Sequence, residues 1–249
     1  MMFFAAMAFA QDDTPSWLDG FTLSGSADAY YRLNLNANNK YMPETPGDDD
    51  LSYYATPGSS FANQPGFAIG MANLVFGYET GDVGVVADLV FGPRGEDAVF
   101  LSGPSSNIVN QLYVYWNVSE KVTLTFGNWN TFLGYEVISP TANFNYSTSY
   151  MFSYGPFSHT GLKADFALDD NWSAMLAVMN PTDFTENNPL AATVWVVNWD
   201  IAMMAEALSL TCFMATKMEI MKMKAWAKVP GQLFKWTLPP DGTFLTVST

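Results

Sequence analysis

From Phe21 to about Asn36 the chain alternates. Phe21, Leu23, Gly25, Ala27, Ala29, Tyr31, Leu33 and Leu35 fall on one face, and Thr22, Ser24, Ser26, Asp28, Tyr30, Arg32, Asn34 and Asn36 on the other. A period of two over this length predicts a strand with one greasy side and one wet side. Six more runs follow, at Phe67 to Tyr78, Val83 to Phe91, Ile108 to Val118, Val122 to Trp129, Thr160 to Leu168 and Trp172 to Asn180. Their lengths are near the roughly 9–11 residues with which a tilted strand crosses the hydrocarbon of a bilayer. Within them, charges return to one side: Asp88 opposes Val85, Ala87 and Leu89, and Lys163 and Asp165 oppose Leu162, Ala164 and Phe166.

The connections alternate as well. A long loop (Ala37 to Gly66) is followed by a tight turn (Glu79 to Asp82), a long loop (Gly92 to Asn107), a tight turn (Ser119 to Lys121), the long central loop, and a tight turn (Asp169 to Asn171). Outer-membrane barrels have short periplasmic turns and long outer loops, whereas a soluble sandwich has no reason to keep its long loops at one end. The pattern predicts an all-β fold, an antiparallel transmembrane β-barrel with about seven recognisable strands. Trp116, Trp129, Phe132 and Trp172 sit near strand ends and are candidates for an interfacial aromatic girdle, with an ordinary core as the alternative.

Composition sharpens this. Of 249 residues 16% are aromatic and only 14% charged, against about a quarter charged in a typical soluble domain. No run of about 18 apolar residues is present, so helical membrane spans are excluded, while alternating strands hide the same hydrophobicity. The net charge of −14 argues against nucleic acid as a partner, because phosphates call for a basic face. One cysteine, Cys212, excludes an intramolecular disulfide framework.

Between Gly127 and Gly161 lies an aromatic, Asn- and Ser-rich stretch, too aromatic for a disordered linker and too polar for a core; it suits a large ordered loop capping a barrel. A series of short matches runs through it: Leu124-Thr125-Phe126-Gly127, Leu133-Gly134-Tyr135-Glu136, Phe144-Asn145-Tyr146-Ser147, and Pro156-Phe157 before His159-Thr160-Gly161. On these residues the chain resembles the β-barrel porins of the OmpL-like type, over roughly residues 20 to 188. The resemblance implies a Gram-negative outer-membrane location, contact with outer-membrane lipid, homo-oligomerisation as an open option, and a passive diffusion channel for small hydrophilic solutes. Two other readings stay open: an adhesion or binding barrel using its long outer loops, and a secreted soluble β-sandwich that binds carbohydrate with surface aromatics.

Four segments are expected. Residues 1–10, MMFFAAMAFA, read as the remnant of a secretory signal ending in Ala8-Phe9-Ala10, with the basic leader upstream. Residues 11–20 form a spacer, 21–189 the barrel strands and loops, and 190–249 an aberrant tail. Residues 201 to 228 lack Gly and Asn and hold six of the fourteen Met residues, which at face value favours helix. Met and Trp each have a single codon, so the overlapping frame is partly forced. It spells Asp across Met203 and Met204, and Gly across Met214 and Ala215, Met218 and Glu219, and Trp226 and Ala227. That is the turn vocabulary of the first half, and out-of-frame translation starting between Leu190 and Trp195 is the expectation. Seven strands would leave an unpaired edge in lipid, so the chain as given is expected to be truncated and not to close into a stable pore.

No catalytic constellation is evident. The single histidine, His159, adjoins Ser158, and neighbours on a strand point oppositely; a loop-anchoring imidazole accounts for it, and no enzyme activity is expected. Asp48-Asp49-Asp50 reads as a solvated acidic loop rather than a cation site. No cofactor or metal is expected. The chemistry left is a lumen: Asp28, Arg32, Asp88, Lys163 and Asp165 are pore-lining candidates that set ion selectivity or pair to brace the wall. Glu136 is a candidate for narrowing the mouth.

Overall fold

The computed structural model describes residues 18–35, 65–99, 101–103, 106–186, 188, 193–203, 206–215 and 243–248. The signal remnant, most of the spacer, Asp48 to Asp50 and residues 216–242 lie outside this set. Ten strands form one antiparallel sheet in chain order. They are β1 (Phe21–Arg32), β2 (Gly66–Thr80), β3 (Val83–Phe91), β4 (Val109–Ser119), β5 (Val122–Asn130), β6 (Ser158–Ala167), β7 (Trp172–Met179), β8 (Val194–Met203), β9 (Glu206–Ala215) and β10 (Thr243–Ser248).

The first seven fall within a few residues of the alternating runs. The next three raise the expected count of about seven to ten, and two of them interrupt the helix that composition favoured over 201–228. Alternation continues past residue 189: Trp195 and Trp199 are exposed on β8, while Val194, Val196 and Asn198 are buried. Each strand pairs only with its sequence neighbours, and β1 and β10 do not pair among the described residues.

Register carries one apolar row across the sheet. Phe21 pairs with Tyr78, Tyr78 with Val85, Val85 with Val114, Val114 with Phe126, Phe126 with Leu162, Leu162 with Val178, and Val178 with Trp195. A one-residue slip at any pair would turn a whole strand's apolar set to the opposite side, so the matched rows pin the register.

Turn chemistry makes the hairpins short at one end. Gly81, with φ of 57°, is the first of two residues joining Thr80 to Val83, where a left-handed backbone suits Gly. Between β6 and β7 the Asp169 carboxylate accepts from the N–H groups of Asn171 (2.8 Å) and Trp172 (2.9 Å), an Asx turn. At the other end the connections are long. After β3, Gly92 (φ 95°) turns the chain into α1 (Pro93–Ala98), whose first residue, Pro93, needs no N–H partner.

Burial is the reverse of a soluble sheet. The apolar face is open: Phe126 is 63% exposed, and Leu112, Val114, Leu162 and Leu176 are close to half exposed. On the polar face Asn73, Asp88, Thr125 and Asn198 are buried. The main apolar cluster, Met71, Val90, Ala98, Val99, Ile138, Phe152 and Phe157, joins β2, β3, α1 and the central loop.

Candidate functional site

Residues 131 to 157, between β5 and β6, fold back over the polar face. The loop is closed at its base by the Thr131 N–H bonding the Phe157 carbonyl at 2.9 Å. Beside it Thr131 Oγ1 and His159 Nε2 are 3.1 Å apart, and the Phe132 ring stacks on His159 at 4.6 Å. Asp183, with φ of 67°, accepts from the N–H groups of Phe157 (2.7 Å) and Ser158 (3.0 Å). Burial, opposed by these two bonds, raises its carboxyl to a pKa of about 6.

Inside the loop, polar side chains replace the missing ladder. Asn143 accepts from the Val137 N–H (2.8 Å) and donates to the Val137 carbonyl (2.6 Å). Glu136 accepts from the Ser149 N–H at 2.8 Å and from the Ser149 hydroxyl. Ser149 in turn caps α2 (Tyr150–Ser153) by accepting from the Phe152 N–H. The Glu136 carboxylate is therefore buried and held within the loop by Ser149.

The loop's far end is tied to the first strand. Arg94, fully buried on α1, donates from Nε to the Ile138 carbonyl (2.7 Å) and from Nη1 to the Tyr146 carbonyl (3.0 Å), with its guanidinium 5.3 Å from the Tyr146 ring. The Tyr146 hydroxyl donates to Asp28 Oδ2, whose other oxygen accepts from the Met71 N–H at 3.0 Å. Burial lowers the Arg94 pKa, while the Tyr146 and Asp28 charges oppose that shift. Burial first, then the bond to Asp28, pushes the Tyr146 phenol well above its ordinary value. Asp28 lies on the polar face, where it anchors the loop.

A second polar network braces the wall. Asn73 Oδ1 accepts from the N–H and hydroxyl of Ser26 (2.9 and 2.7 Å). The Asp88 carboxylate accepts from the side-chain amides of Asn73 (3.3 Å), Asn110 (2.6 Å) and Gln111 (3.4 Å). Asn128 Nδ2 bonds the Asn110 carbonyl (2.7 Å), and the Thr160 hydroxyl bonds Asn128 Oδ1 (2.9 Å). The chain of bonds crosses six strands, and each closed link spares a buried polar group the cost of isolation. Asp88, 4% exposed, is part of this brace rather than of an open water surface.

Lys163 and Asp165 form an ion pair at 2.7 Å on the polar face of β6. Arg32, half-buried, ends β1 on the same side. The pair lines a cavity of about 440 Å³ over β4, β5 and β6, together with Gln111, Tyr113, Tyr115 and Trp129. Trp129 is buried against this polar face, with Lys163 Nζ 5.7 Å from its ring, and so is no girdle residue. Phe132 also turns inward, packing against Met175, Ala177, Met179, Val194 and Val196. Trp116 and Trp172 are exposed on the apolar face at the short-turn end.

Sequence reading passed over Arg94, Tyr146 and Asp183, whose partners lie far along the chain. It also passed over Tyr113 and Tyr115, although their spacing of two on β4 puts both on the polar face. Among the described residues no cluster of His, Cys, Asp and Glu is placed to hold a metal ion, and no helix is long and apolar enough to cross a membrane.

Comparison with curated proteins and with solved structures finds no match. The family described as "Putative beta-barrel porin-2, OmpL-like" matches residues 20–223, most of the chain. An antiparallel sheet with an exposed apolar face agrees with that match, and the chain belongs to this OmpL-like β-barrel porin family.

Proposed function

We propose that this chain is an outer-membrane porin of a Gram-negative bacterium, a passive diffusion channel for small hydrophilic solutes. The observation that carries the reading is the inverted burial: Phe126, Leu162 and Val114 exposed in one row, Asp88, Asn73 and Thr125 buried behind them. In water an open apolar face of this extent would be a liability, whereas against lipid tails it is the stable arrangement. The polar face, with its Lys163–Asp165 pair, becomes the wetted wall along which solutes move. No cofactor and no catalytic group enters this mechanism, and His159 serves the loop base through Thr131 and Phe132.

Closure requires β1, which pairs only with β2 among the described residues, to find a second strand partner, because each unpaired backbone group in hydrocarbon costs several kcal/mol. Steady single-channel current in planar bilayers, together with heat-modifiable migration in gels, tests the reading. Its rival, a plugged barrel for adhesion, draws support from the central loop lying across the polar face. That rival gives no steady current, and a soluble β-sandwich fractionates away from membranes.

A further inference from the structure

One row of paired residues crosses the polar face near the short turns. Glu79 on β2 pairs with Gly84 on β3, Gly84 with Tyr115 on β4, Tyr115 with Thr125 on β5, and Thr125 with Lys163 on β6. In that row the Tyr115 side chain does not stand up from the sheet. It lies across Gly84, and its hydroxyl donates to the Glu79 carboxylate two strands away. The ring fits there because Gly84 carries no side chain, and close approach by another group is a common reason for glycine inside a strand. Hydrogen bonds to a carboxylate are of the stronger kind. This one draws the ring toward β2, away from Thr125 and Lys163.

Tyr115 borders the cavity of about 440 Å³ that extends over β4, β5 and β6 past Asn117, Thr123, Lys163 and Asp165. Between Glu79 and Lys163 the row holds no other ring. The position of the Tyr115 ring therefore governs how much of the cavity is free at the short-turn end, and pore diameter is one of the properties that decide which solutes pass.

We infer that Tyr115 sets the width of the solute path at the short-turn end: laid on Gly84 and held by Glu79, its ring leaves the path open, and lifted from Gly84 it narrows the path. The inference rests on the channel reading and adds to it a residue on which passage depends. Gly84 is also the place where the ring can be lifted without disturbing the sheet. At Gly25 and Gly161 an added Cβ would run into backbone atoms of the neighbouring strands, at Asn73 and Val178, so the sheet itself would have to shift. At Gly84 the nearest atoms all belong to the Tyr115 ring and hydroxyl, the far end of a side chain that can rotate to another staggered position with the strands in place.

Single-channel current of the full chain in planar bilayers tests this. Gly84→Ala is expected to lower the unitary conductance, because the methyl group drives the ring into the path. Tyr115→Ala removes the ring, and in that background adding Gly84→Ala is expected to cause no further loss; such non-additivity identifies the ring as the agent. Glu79→Ala releases the hydroxyl. The expected result is flicker between the parent's conductance and a lower level, a signature that a ring serving only to pack the wall would not produce. Heat-modifiable migration in gels checks that each variant keeps its folded sheet. Should Gly84→Ala not fold, Glu79→Ala decides by its flicker, which adding Tyr115→Ala should abolish.

Gly84→Ala with the parent's conductance, an equal loss with and without the ring, or Glu79→Ala without flicker overturns the role of Tyr115 and leaves the channel standing. A parent chain that carries no current removes the channel and this role together.

Discussion

The Tyr146 hydroxyl donates to the Asp28 carboxylate across 118 residues of sequence, tying the far reach of the central loop to the first strand. Asp28 also holds the Met71 N–H, and Arg94 grips the Tyr146 carbonyl. These bonds make the loop a strap over the polar face.

Tyr146→Phe removes the strap's bond to β1 while keeping the ring beside Tyr30, 5.7 Å away. A bond to a charged acceptor is worth about 1.5–3 kcal/mol, and partial exposure of Tyr146 brings the expected loss to about 1–2 kcal/mol. We expect noisier, larger single-channel current and faster proteolysis between residues 131 and 157. A variant with the current and cleavage of the parent would show that the bond holds nothing in place.

Asp183 makes the loop base sensitive to pH. Its folded pKa, about 6, lies above the ordinary 3.8. The folded protein therefore binds the extra proton, and the associated stabilisation is complete below about pH 4 and lost as pH rises through about 6. Asp183→Asn keeps an oxygen for the Phe157 and Ser158 N–H groups and carries no charge. The stability difference, parent minus variant, should fall by about 2–2.5 kcal/mol between pH 4 and pH 7. Equilibrium unfolding at stepped pH measures it, and a flat difference would refute the assignment.

Phe126→Lys separates lipid from water on the apolar face. If that face meets hydrocarbon, the lysine costs about 2–4 kcal/mol near the midplane and about 0–1 near the interface. On the polar side of the same strand, Thr123→Lys loses only the bond its hydroxyl donates to Asn117 (2.9 Å) and should cost about 0.5–1.5 kcal/mol. Urea unfolding from lipid vesicles gives both numbers. In a water-soluble particle Phe126, already 63% exposed, would tolerate lysine without loss.

Lys163→Gln leaves Asp165 without its cation on the polar face of β6. The expected result is a reversal potential shifted toward cation selectivity in a salt gradient, with strand content unchanged. A partly exposed pair contributes little to stability, about 0–1 kcal/mol, so the effect should be on current rather than on folding.

The amino-acid order alone determined the first seven strands, their two faces and the long-short alternation of the loops between them. Those properties are written in neighbours two residues apart and in turns such as Glu79 to Asp82, where no distant partner is needed. Val83 to Phe91 begins and ends where its alternation does. Tertiary structure alone decided what the polar side chains do. Glu136 meets Ser149, Asp88 meets three amides, and Trp129 turns to the polar side. None of these follows from a period of two, because a carboxylate's role depends on which donor the fold brings within about 3 Å. For Asp28 that donor is Tyr146, which only the folded loop brings to β1.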